Sequence, residues 1–258
     1  CVLAGRLSEN PQVSVCLLEA GGAGEGWKVE VPCAAVISIP TKINNWAFET
    51  VPQKGLNGRK GYQPRGKCLG GSSAINAMVY IRGHRQDYDD WAALGNTGWS
   101  YDEQKYIAAA KEQGYRILDD FNGEEQEGLG VYQVTHINGE RCSSARAYLF
   151  PHRDRKNLTV ETYAQTQRIL IENGVAVGVE YKQGGQLKQI FARREVLLSA
   201  GAMQSPQILM LSGVGDQQEL AQHGIESVKF KAPLAYLFQV QLIYLNKLDV
   251  IVKNAVVC

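Results

Sequence analysis

Residues 66–83 form the part of this sequence best suited to bind a phosphate group. They begin Gly-Lys-Cys-Leu-Gly-Gly-Ser-Ser and continue as an apolar run with helical spacing. Because glycine has no Cβ, the backbone N–H groups of such a loop can approach an anion closely, and a helix that begins there adds a favourable dipole. An ordinary tight turn before a core helix would have the same pattern. The stretch therefore predicts a phosphate-binding loop only together with residues elsewhere in the chain.

Two further segments have the pattern expected at the ligand-binding edge of a parallel sheet. Residues 13–18 are an apolar run that predicts a buried strand, and Glu19 follows at its carboxyl end. In a dinucleotide-binding fold an acid at this place accepts hydrogen bonds from the adenosine ribose, although a solvated acid at a strand end is the alternative. Residues 195–200 predict a second strand that enters a turn at Gly201. Ser205 is then expected to cap the next helix, with a proline at its first position.

The histidines and cysteines give no sign of a metal centre or a nucleophilic triad. The four histidines are scattered without metal-ligand spacing and without a paired acid and serine motif. A surface or loop position is the simpler interpretation for each of these residues, His84, His136, His152 and His223. The six cysteines include no Cys-x-x-Cys pair, which indicates reduced thiols and a cytoplasmic protein. Peripheral association with the inner membrane stays open as an alternative.

The composition is typical of a globular protein. The chain has 258 residues, of which 45% are hydrophobic, and 27 basic residues nearly balance 26 acidic ones. This length can hold one or two domains. Nucleic acid is excluded as a partner because no basic block or aromatic stripe stands out. We also predict no transmembrane segment, which would need about 20 consecutive apolar residues.

The helix, apolar run and glycine turn at the start of the chain suit a buried parallel strand of an α/β fold. Strands are expected at residues 157–162, 167–171, 175–181 and 189–195, with a hairpin turn at Asn173 and Gly174. Helices are expected at the start of the sequence, after Gly83, from a capping box at 100–103, at 107–114 and after Ser143. The first helix has no capping residue. We therefore expect a preceding strand and its glycine-rich loop to be missing.

Two long motifs resemble the signatures of the glucose-methanol-choline (GMC) oxidoreductases. The first runs from Arg65 to Asn76 and continues into Asp-Tyr-Asp-Asp-Trp at 87–91 and Gly-Asn-Thr-Gly-Trp at 95–99. The second, at 201–215, reads Gly-Ala-Met-Gln-Ser-Pro-Gln-Ile-Leu-Met-Leu-Ser-Gly-Val-Gly. Both occur in the expected order after Glu19. The resemblance covers roughly residues 1–228 and is closest to the choline dehydrogenase and bacterial alcohol dehydrogenase branch.

The resemblance implies a Rossmann-like FAD-binding domain related to that of glutathione reductase, with an incomplete α+β substrate domain. It also implies oxidation of a CH–OH group of an alcohol, with hydride transfer to the flavin N5 and an unknown electron acceptor. The positions that match cofactor-binding residues of the family are Glu19, Arg65, Leu69, Gly70, Gly71, Ser72, Asn76, Ala77, Met78, Val79, Thr166, Ala200, Gly201 and Ser205. Some relatives bind FAD covalently through a histidine directly before the asparagine. Ile75 stands there in this chain, so noncovalent FAD is expected.

Three features depart from the family pattern. Tyr106 runs directly into Ile107 where relatives have part of the substrate domain, so we expect a deletion and only partial substrate-domain insertions around residues 100–150. The family's C-terminal catalytic histidine has no counterpart, and we assign no catalytic residue. Residues 1–229 are expected to form the FAD-binding region, whereas residues 230–258 predict a tail outside the family fold, without regular structure.

Two hypotheses about function follow. The chain is a truncated GMC dehydrogenase that is inactive alone, or it is a non-catalytic remnant that binds FAD weakly or does not fold.

Overall fold

The computed structural model describes residues 1–81, 83–97, 100, 118, 120–127 and 132–228, together with the backbone of residues 256–257. The chain forms two compact units, the first from residues 1–76 and 142–258 and the second from residues 77–141. The predicted helix at 107–114 and all but the first residue of the predicted capping box at 100–103 lie outside the described residues.

The described residues contain short helices and short strands. The helices are α1 (Val2–Leu7), α2 (Trp27–Glu30), α3 (Ala35–Ser38), α4 (Arg85–Ala93), α5 (Ser144–Tyr148), α6 (Gly201–Leu211) and α7 (Gln217–Gln222). The strands are β1 (Val15–Leu18), β2 (Phe48–Glu49), β3 (Tyr62–Gln63), β4 (Val79–Tyr80), β5 (Gln133–Val134), β6 (His136–Ile137), β7 (Glu140–Arg141), β8 (Leu158–Glu161), β9 (Gln165–Glu172), β10 (Val175–Gln183), β11 (Gln186–Phe191), β12 (Val196–Leu197) and β13 (Val256–Val257). Short 3₁₀ helices lie at Pro32–Ala34, Lys54–Leu56, Gly71–Ala74 and Phe150–His152.

A parallel sheet with the strand order β12-β13-β1-β8 lies at the centre of the first unit. Successive residues of β1 point to opposite faces, and both faces are apolar. Leu18 packs with residues of α6 and of the strands β9 and β10, whereas Leu17 packs with residues of α1 and α5. The sheet is therefore covered on both sides. This explains why β1 is a continuous apolar run rather than an alternating one, and it confirms the buried strand predicted from the sequence.

A second, antiparallel sheet in this unit has the order β11-β10-β9. Asn173 and Gly174 join β9 to β10 with φ angles of 51° and 76°, the left-handed backbone that a two-residue hairpin turn requires. Gly178 in β10 lies so close to the backbone of Ile190 that a Cβ would not fit. The predicted hairpin is thus confirmed, and β11 ends at Phe191, four residues earlier than the sequence indicated.

The predicted helix after the glycine-rich loop is wrong. A single 3₁₀ turn spans Gly71–Ala74, and the chain then continues as the strand β4, which pairs with β5 in the second unit. Met78 has a φ angle of 64°, a left-handed conformation that no α-helix contains. Val79 and Ile81 are β-branched and suit a strand, so pairing with a distant segment overrides the helical spacing.

The predicted tail at 230–258 was expected to lack regular structure. Within it, Val256–Val257 form the strand β13 of the parallel sheet. In the part of the chain that the structure describes, no helix combines the length and apolar character needed to cross a bilayer.

Leu149 offers a test of the packing between α1, α5 and the parallel sheet. Its side chain is 1% exposed in the cluster that contains Ala4 and Leu17. Leu149→Ala should lower the free energy of unfolding by about 2–5 kcal/mol, because the substitution removes buried methyl groups and leaves a cavity. Leu187→Ala is the matched control, since Leu187 is 61% exposed, and it should change stability by less than about 0.5 kcal/mol. Urea denaturation measures both variants. Equal losses would contradict this description of the core.

Candidate functional site

The candidate site lies where the parallel strands β1 and β12 end. Glu19 follows β1 directly, and Ala200 and Gly201 follow β12 at the start of α6. Because the strands run in the same direction, their carboxyl ends lie at one edge of the sheet, the edge at which open α/β sheets bind ligands. The backbone of Glu19 is fixed there by two hydrogen bonds, since its N–H donates to the carbonyl of Glu161 and its carbonyl accepts from the N–H of Ala164, both at 2.9 Å.

The Glu19 carboxylate is held by the turn that follows it. The backbone N–H of Gly21 donates to Glu19 Oε1 at 2.8 Å. Burial raises the pKa of Glu19, although the hydrogen bond from Gly21 and the positive charge of Lys67 oppose this effect. A carboxylate fixed in this way can use its further lone pairs to accept hydrogen bonds from the two hydroxyl groups of a ribose.

Two glycine-containing loops, residues 21–24 and 66–71, pack backbone against backbone beside Glu19. The N–H of Leu69 donates to the carbonyl of Gly22 at 2.9 Å. A Cβ on Gly21 would overlap the carbonyl of Lys67, and a Cβ on Gly24 would lie 2.5 Å from the carbonyl oxygen of Leu69. Within the second loop, a Cβ on Gly66 would overlap the carbonyl of Gly71. Several glycines of this region are therefore required by the contact between the loops. From the sequence we had expected the glycines of residues 66–71 to allow the approach of a phosphate.

Gly70 and Gly71 have left-handed backbones with φ angles of 93° and 53°. The carbonyl of Gly70 accepts hydrogen bonds from Ser73 Oγ at 2.6 Å and Ser144 Oγ at 3.2 Å, which fixes the turn. A Cβ built on Gly71 would have no heavy atom within 4 Å, so this glycine faces open space. Ser72 Oγ points back into the loop, where it accepts from the N–H of Gly66 at 3.1 Å. Gly71 is thus the glycine of this turn that a ligand can approach most closely.

Asn45 positions the segment that contains Arg65, and the sequence analysis missed this role. The Asn45 side chain, 3% exposed, accepts from the N–H groups of Arg65 at 2.9 Å and Ala47 at 3.0 Å. Its amide donates to the carbonyls of Ile39 at 2.9 Å and Thr41 at 2.8 Å. Only the general preference of asparagine for turns could have indicated this position. Arg65 itself donates from Nη1 to the carbonyl of the preceding proline at 2.6 Å.

The helix α6 begins at Gly201, so the predicted helix start at Ser205 and Pro206 is wrong. Pro206 lies inside α6, where it cannot supply the hydrogen bond to a carbonyl one turn earlier. Ser205 is buried, and its hydroxyl accepts from the N–H of Ala200 at 3.0 Å. Gly201 has a φ angle of 85° and faces open space. The first N–H groups of an eleven-residue helix are therefore placed at the ligand-binding edge by Gly201.

The other predicted site residues of the first unit lie in different surroundings. Leu69 is buried in the core against the parallel sheet. Asn76 is exposed, and its N–H donates to the carbonyl of Ser72 at 2.9 Å. Thr166 is half-buried in β9, paired with Tyr181. A cofactor contact by any of these three residues stays a prediction.

Three predicted site residues, Ala77, Met78 and Val79, belong to the second unit. Met78 is buried, its carbonyl accepts from the N–H of Thr135 at 2.9 Å, and its sulfur lies 2.9 Å from His136 Nε2. Ala77 and Val79 are exposed.

Reactive groups of other kinds have structural roles where the structure describes them. His84 Nδ1 accepts from the N–H of Gln86 at 3.2 Å and caps α4. Burial raises the pKa of Cys16 to about 11, which keeps this thiol protonated inside β1. Among the described residues, no group of three or more His, Cys, Asp or Glu could hold a metal ion.

A cavity of about 230 Å³ lies beside β9, away from the residues discussed above. Two of the polar side chains that line it, Arg168 and Ser212, are engaged in hydrogen bonds within the protein. Arg168 Nε donates to Glu180 Oε1 at 2.9 Å, and Ser212 Oγ accepts from the N–H of Ile169 at 2.8 Å. We do not assign a ligand to this cavity.

Comparison with known proteins bears directly on this site. The family model for GMC oxidoreductase matches residues 13–107 and 103–228. The chain is 39% identical to an oxygen-dependent choline dehydrogenase of Photobacterium profundum, covering 90% of this chain and 48% of that protein. It is 39% identical to the mitochondrial choline dehydrogenase of Homo sapiens, covering 88% of this chain and 46% of that protein. It is 41% identical to an alcohol dehydrogenase [acceptor] of Pseudomonas putida, covering 88% of this chain and 49% of that protein. The chain thus spans about half the length of these curated relatives.

Solved structures resemble this chain over a similar share. The structure of pyridoxine 4-oxidase from Mesorbium loti superimposes with a TM-score of 0.81 and 28% identity, covering 90% of this chain and 53% of that one. An FAD-dependent oxidoreductase from Chaetomium thermophilum superimposes with a TM-score of 0.79 and 26% identity, covering 89% of this chain and 48% of that one. The predicted FAD-binding α/β fold is thereby confirmed.

The raised pKa of Glu19 makes the stability of the ligand-free protein depend on pH. The native state holds the Glu19 proton more tightly than the unfolded state, so the free energy of unfolding falls as pH rises through the interval between the two pKa values. Glu19→Gln keeps an acceptor for the N–H of Gly21 and removes the buried charge. Relative to the unmodified protein, the variant should therefore become more stable as the pH rises above about 4, the pKa of a glutamate in the unfolded chain.

Urea denaturation at several pH values measures this difference. Glu172→Gln is the control, because Glu172 is exposed at the end of β9. A stability difference for Glu19→Gln that stays constant with pH would contradict the prediction.

Proposed function

Because the chain belongs to the GMC oxidoreductase family, we propose that it binds FAD noncovalently and serves in the oxidation of a CH–OH group. When bound, a flavin accepts a hydride from the alcohol carbon at its N5 atom. The curated relatives quoted above are choline and alcohol dehydrogenases. We therefore propose a small alcohol, choline-like or aliphatic or aromatic, as the substrate class.

The observation that carries this proposal is the placement of Glu19 and Gly201 at one edge of the parallel sheet. Glu19 presents a carboxylate that a backbone N–H already orients, which suits the hydroxyl groups of the adenosine ribose. Gly201 presents the start of α6, and Gly71 presents an open left-handed turn, both of which suit the approach of phosphate oxygens. The residues present therefore fit the adenosine and pyrophosphate parts of FAD.

Noncovalent binding is proposed from the side chain that precedes Asn76. Ile75 is 3% exposed and carries only alkyl carbons, so it cannot form a bond to the flavin. We further propose that this chain lacks the proton acceptor for alcohol oxidation. A base must lie within hydrogen-bonding reach of the substrate hydroxyl, and we assign this role to no residue among those that the structure describes.

The first experiment separates cofactor binding from turnover. The purified chain, reconstituted with FAD and desalted, should keep a flavin absorption band, and acid precipitation should release all flavin into the supernatant. Flavin in the pellet would contradict noncovalent binding. Addition of choline or of a primary alcohol with an artificial electron acceptor should give no dye reduction. Sustained reduction would show that the chain contains its own base, whereas loss of flavin on desalting would favour a remnant that binds FAD weakly.

The second experiment tests the proposed role of Glu19 in nucleotide binding. Glu19→Ala should weaken the binding of ADP, used as a probe for the adenosine and pyrophosphate groups, by about tenfold or more, because hydrogen bonds to the carboxylate are lost. Glu172→Ala is the control and should bind ADP like the unmodified chain. Isothermal titration calorimetry measures the affinities. Equal affinities for all three proteins would overturn the assignment of Glu19.

A further inference from the structure

Tyr163 has a backbone conformation that is unusual for its residue type. Its φ angle is 55°, in the left-handed region that a bulky side chain rarely adopts. Of the non-glycine residues with a positive φ that the structure describes, Tyr163 is the only aromatic one. A conformation of this kind persists where the surrounding contacts enforce it, and such residues are concentrated at binding and catalytic sites.

Backbone hydrogen bonds on both sides of Tyr163 enforce this conformation. The N–H of Tyr163 donates to the carbonyl of Gly21 at 2.8 Å, and the N–H of Ala164 donates to the carbonyl of Glu19 at 2.9 Å. The carbonyl of Glu161 accepts from the N–H of Glu19 at 2.9 Å. Ala164 is also anchored by burial, since it is 1% exposed. Tyr163 is thereby fixed to the same turn that orients the Glu19 carboxylate.

The phenol ring of Tyr163 lies against this turn and stays largely open to solvent. A Cβ built on Gly22 would lie 2.7 Å from Tyr163 Oη and 3.1 Å from its Cζ. The ring therefore occupies space that a larger residue at position 22 would fill. Tyr163 is nevertheless 69% exposed. An aromatic ring that rests on backbone and is otherwise exposed offers a face on which a planar group can stack.

The strand order places Tyr163 on one particular side of Glu19. β1 lies between β8 on one side and β12 on the other, and Tyr163 follows the end of β8 by two residues. In an adenosine nucleotide the ribose joins the base to the phosphates, which leave from opposite ends of the sugar. With the ribose at Glu19 and the phosphates towards Gly201 on the side of β12, the base extends towards the end of β8.

We propose that Tyr163 is a binding residue for the adenine base, and that its phenol ring stacks on the base while Glu19 holds the ribose. The backbone of Tyr163 is already fixed and its ring already rests on Gly22, so little side-chain freedom is lost when the base binds. The left-handed backbone thus has a function, since it brings an aromatic ring to the turn beside Glu19. This assignment rests on the proposed function.

ADP binding to two variants tests the ring. Tyr163→Asn should lose about tenfold in ADP affinity, because the stacking on the base is lost, while asparagine adopts a left-handed backbone readily and preserves the turn. Tyr163→Phe keeps the ring and should bind like the unmodified chain. Phe191→Asn is the matched control, since it removes an aromatic side chain that is 63% exposed at the end of β11, and it should also leave affinity unchanged. Isothermal titration calorimetry measures all four proteins, and full affinity in Tyr163→Asn would overturn the proposal.

Photolabelling of the unmodified chain tests the contact directly, and it decides the question if Tyr163→Asn does not fold. The probe is 8-azido-ADP, which carries its reactive group on the base. Trypsin releases Tyr163 in the peptide of residues 157–168. Mass spectrometry should find the probe in this peptide, attached at Tyr163 or at an adjacent residue, and excess ADP should prevent the labelling. Attachment confined to other peptides, or to Thr166 within this one, would overturn the proposal.

The outcomes separate this assignment from the proposed function. If the unmodified chain binds no ADP, the proposed function fails and the role of Tyr163 fails with it. If the unmodified chain and Tyr163→Asn bind ADP equally well while Glu19→Ala binds it more weakly, the proposed function stands and the assignment of Tyr163 alone is wrong.

Discussion

The close contact between the backbones of residues 21–24 and 66–71 is the constraint on which the rest of the site depends. At Gly21 and Gly24 the backbone of residues 66–71 lies where a Cβ would be, so only glycine permits the contact. The contact brings the end of β1 beside the turn at Gly70 and Gly71. Asn45 adds a second support, since it ties the segment at Arg65 to a loop more than twenty residues earlier. The two loops and Asn45 together hold the turn in place.

Parts of both sheets of the first unit could be predicted from the sequence, because their signals are local. The run at 13–18 is apolar throughout, and Asn173-Gly174 is a specific hairpin signal, so β1 and the β9-β10 turn were predicted correctly. The helical spacing after the glycine-rich loop was misleading, because pairing between β4 and β5 depends on residues more than fifty positions apart. The start of α6 was misplaced since Ser205 resembles a cap by type, although its hydroxyl reaches back to Ala200 from inside the helix.

The residues of the candidate site also fall into two groups, those that a local sequence signal locates and those whose role depends on the fold. Glu19 and Gly201 could be located by motif and strand end, because the carboxyl ends of parallel strands always share an edge. The roles of Gly66 and Asn45 could not be derived from the sequence, since they depend on which backbone lies opposite in the fold. Glu19 also shows that placement for a ligand conflicts with stability, because the burial that orients its carboxylate also disfavours its charge. A bound ribose would offset this by supplying hydrogen bonds to the same carboxylate.

The pairing of β1 on one side with β8 and on the other with β13 has a consequence for the order of folding. Cys16 is separated from its partner Thr159 by about 140 residues and from Val256 by about 240 residues. During synthesis, β1 therefore leaves the ribosome long before these two partner segments exist. Its pairing with them is a late, long-range contact, and contacts of this kind form slowly and leave strand edges open to misassembly until they are made.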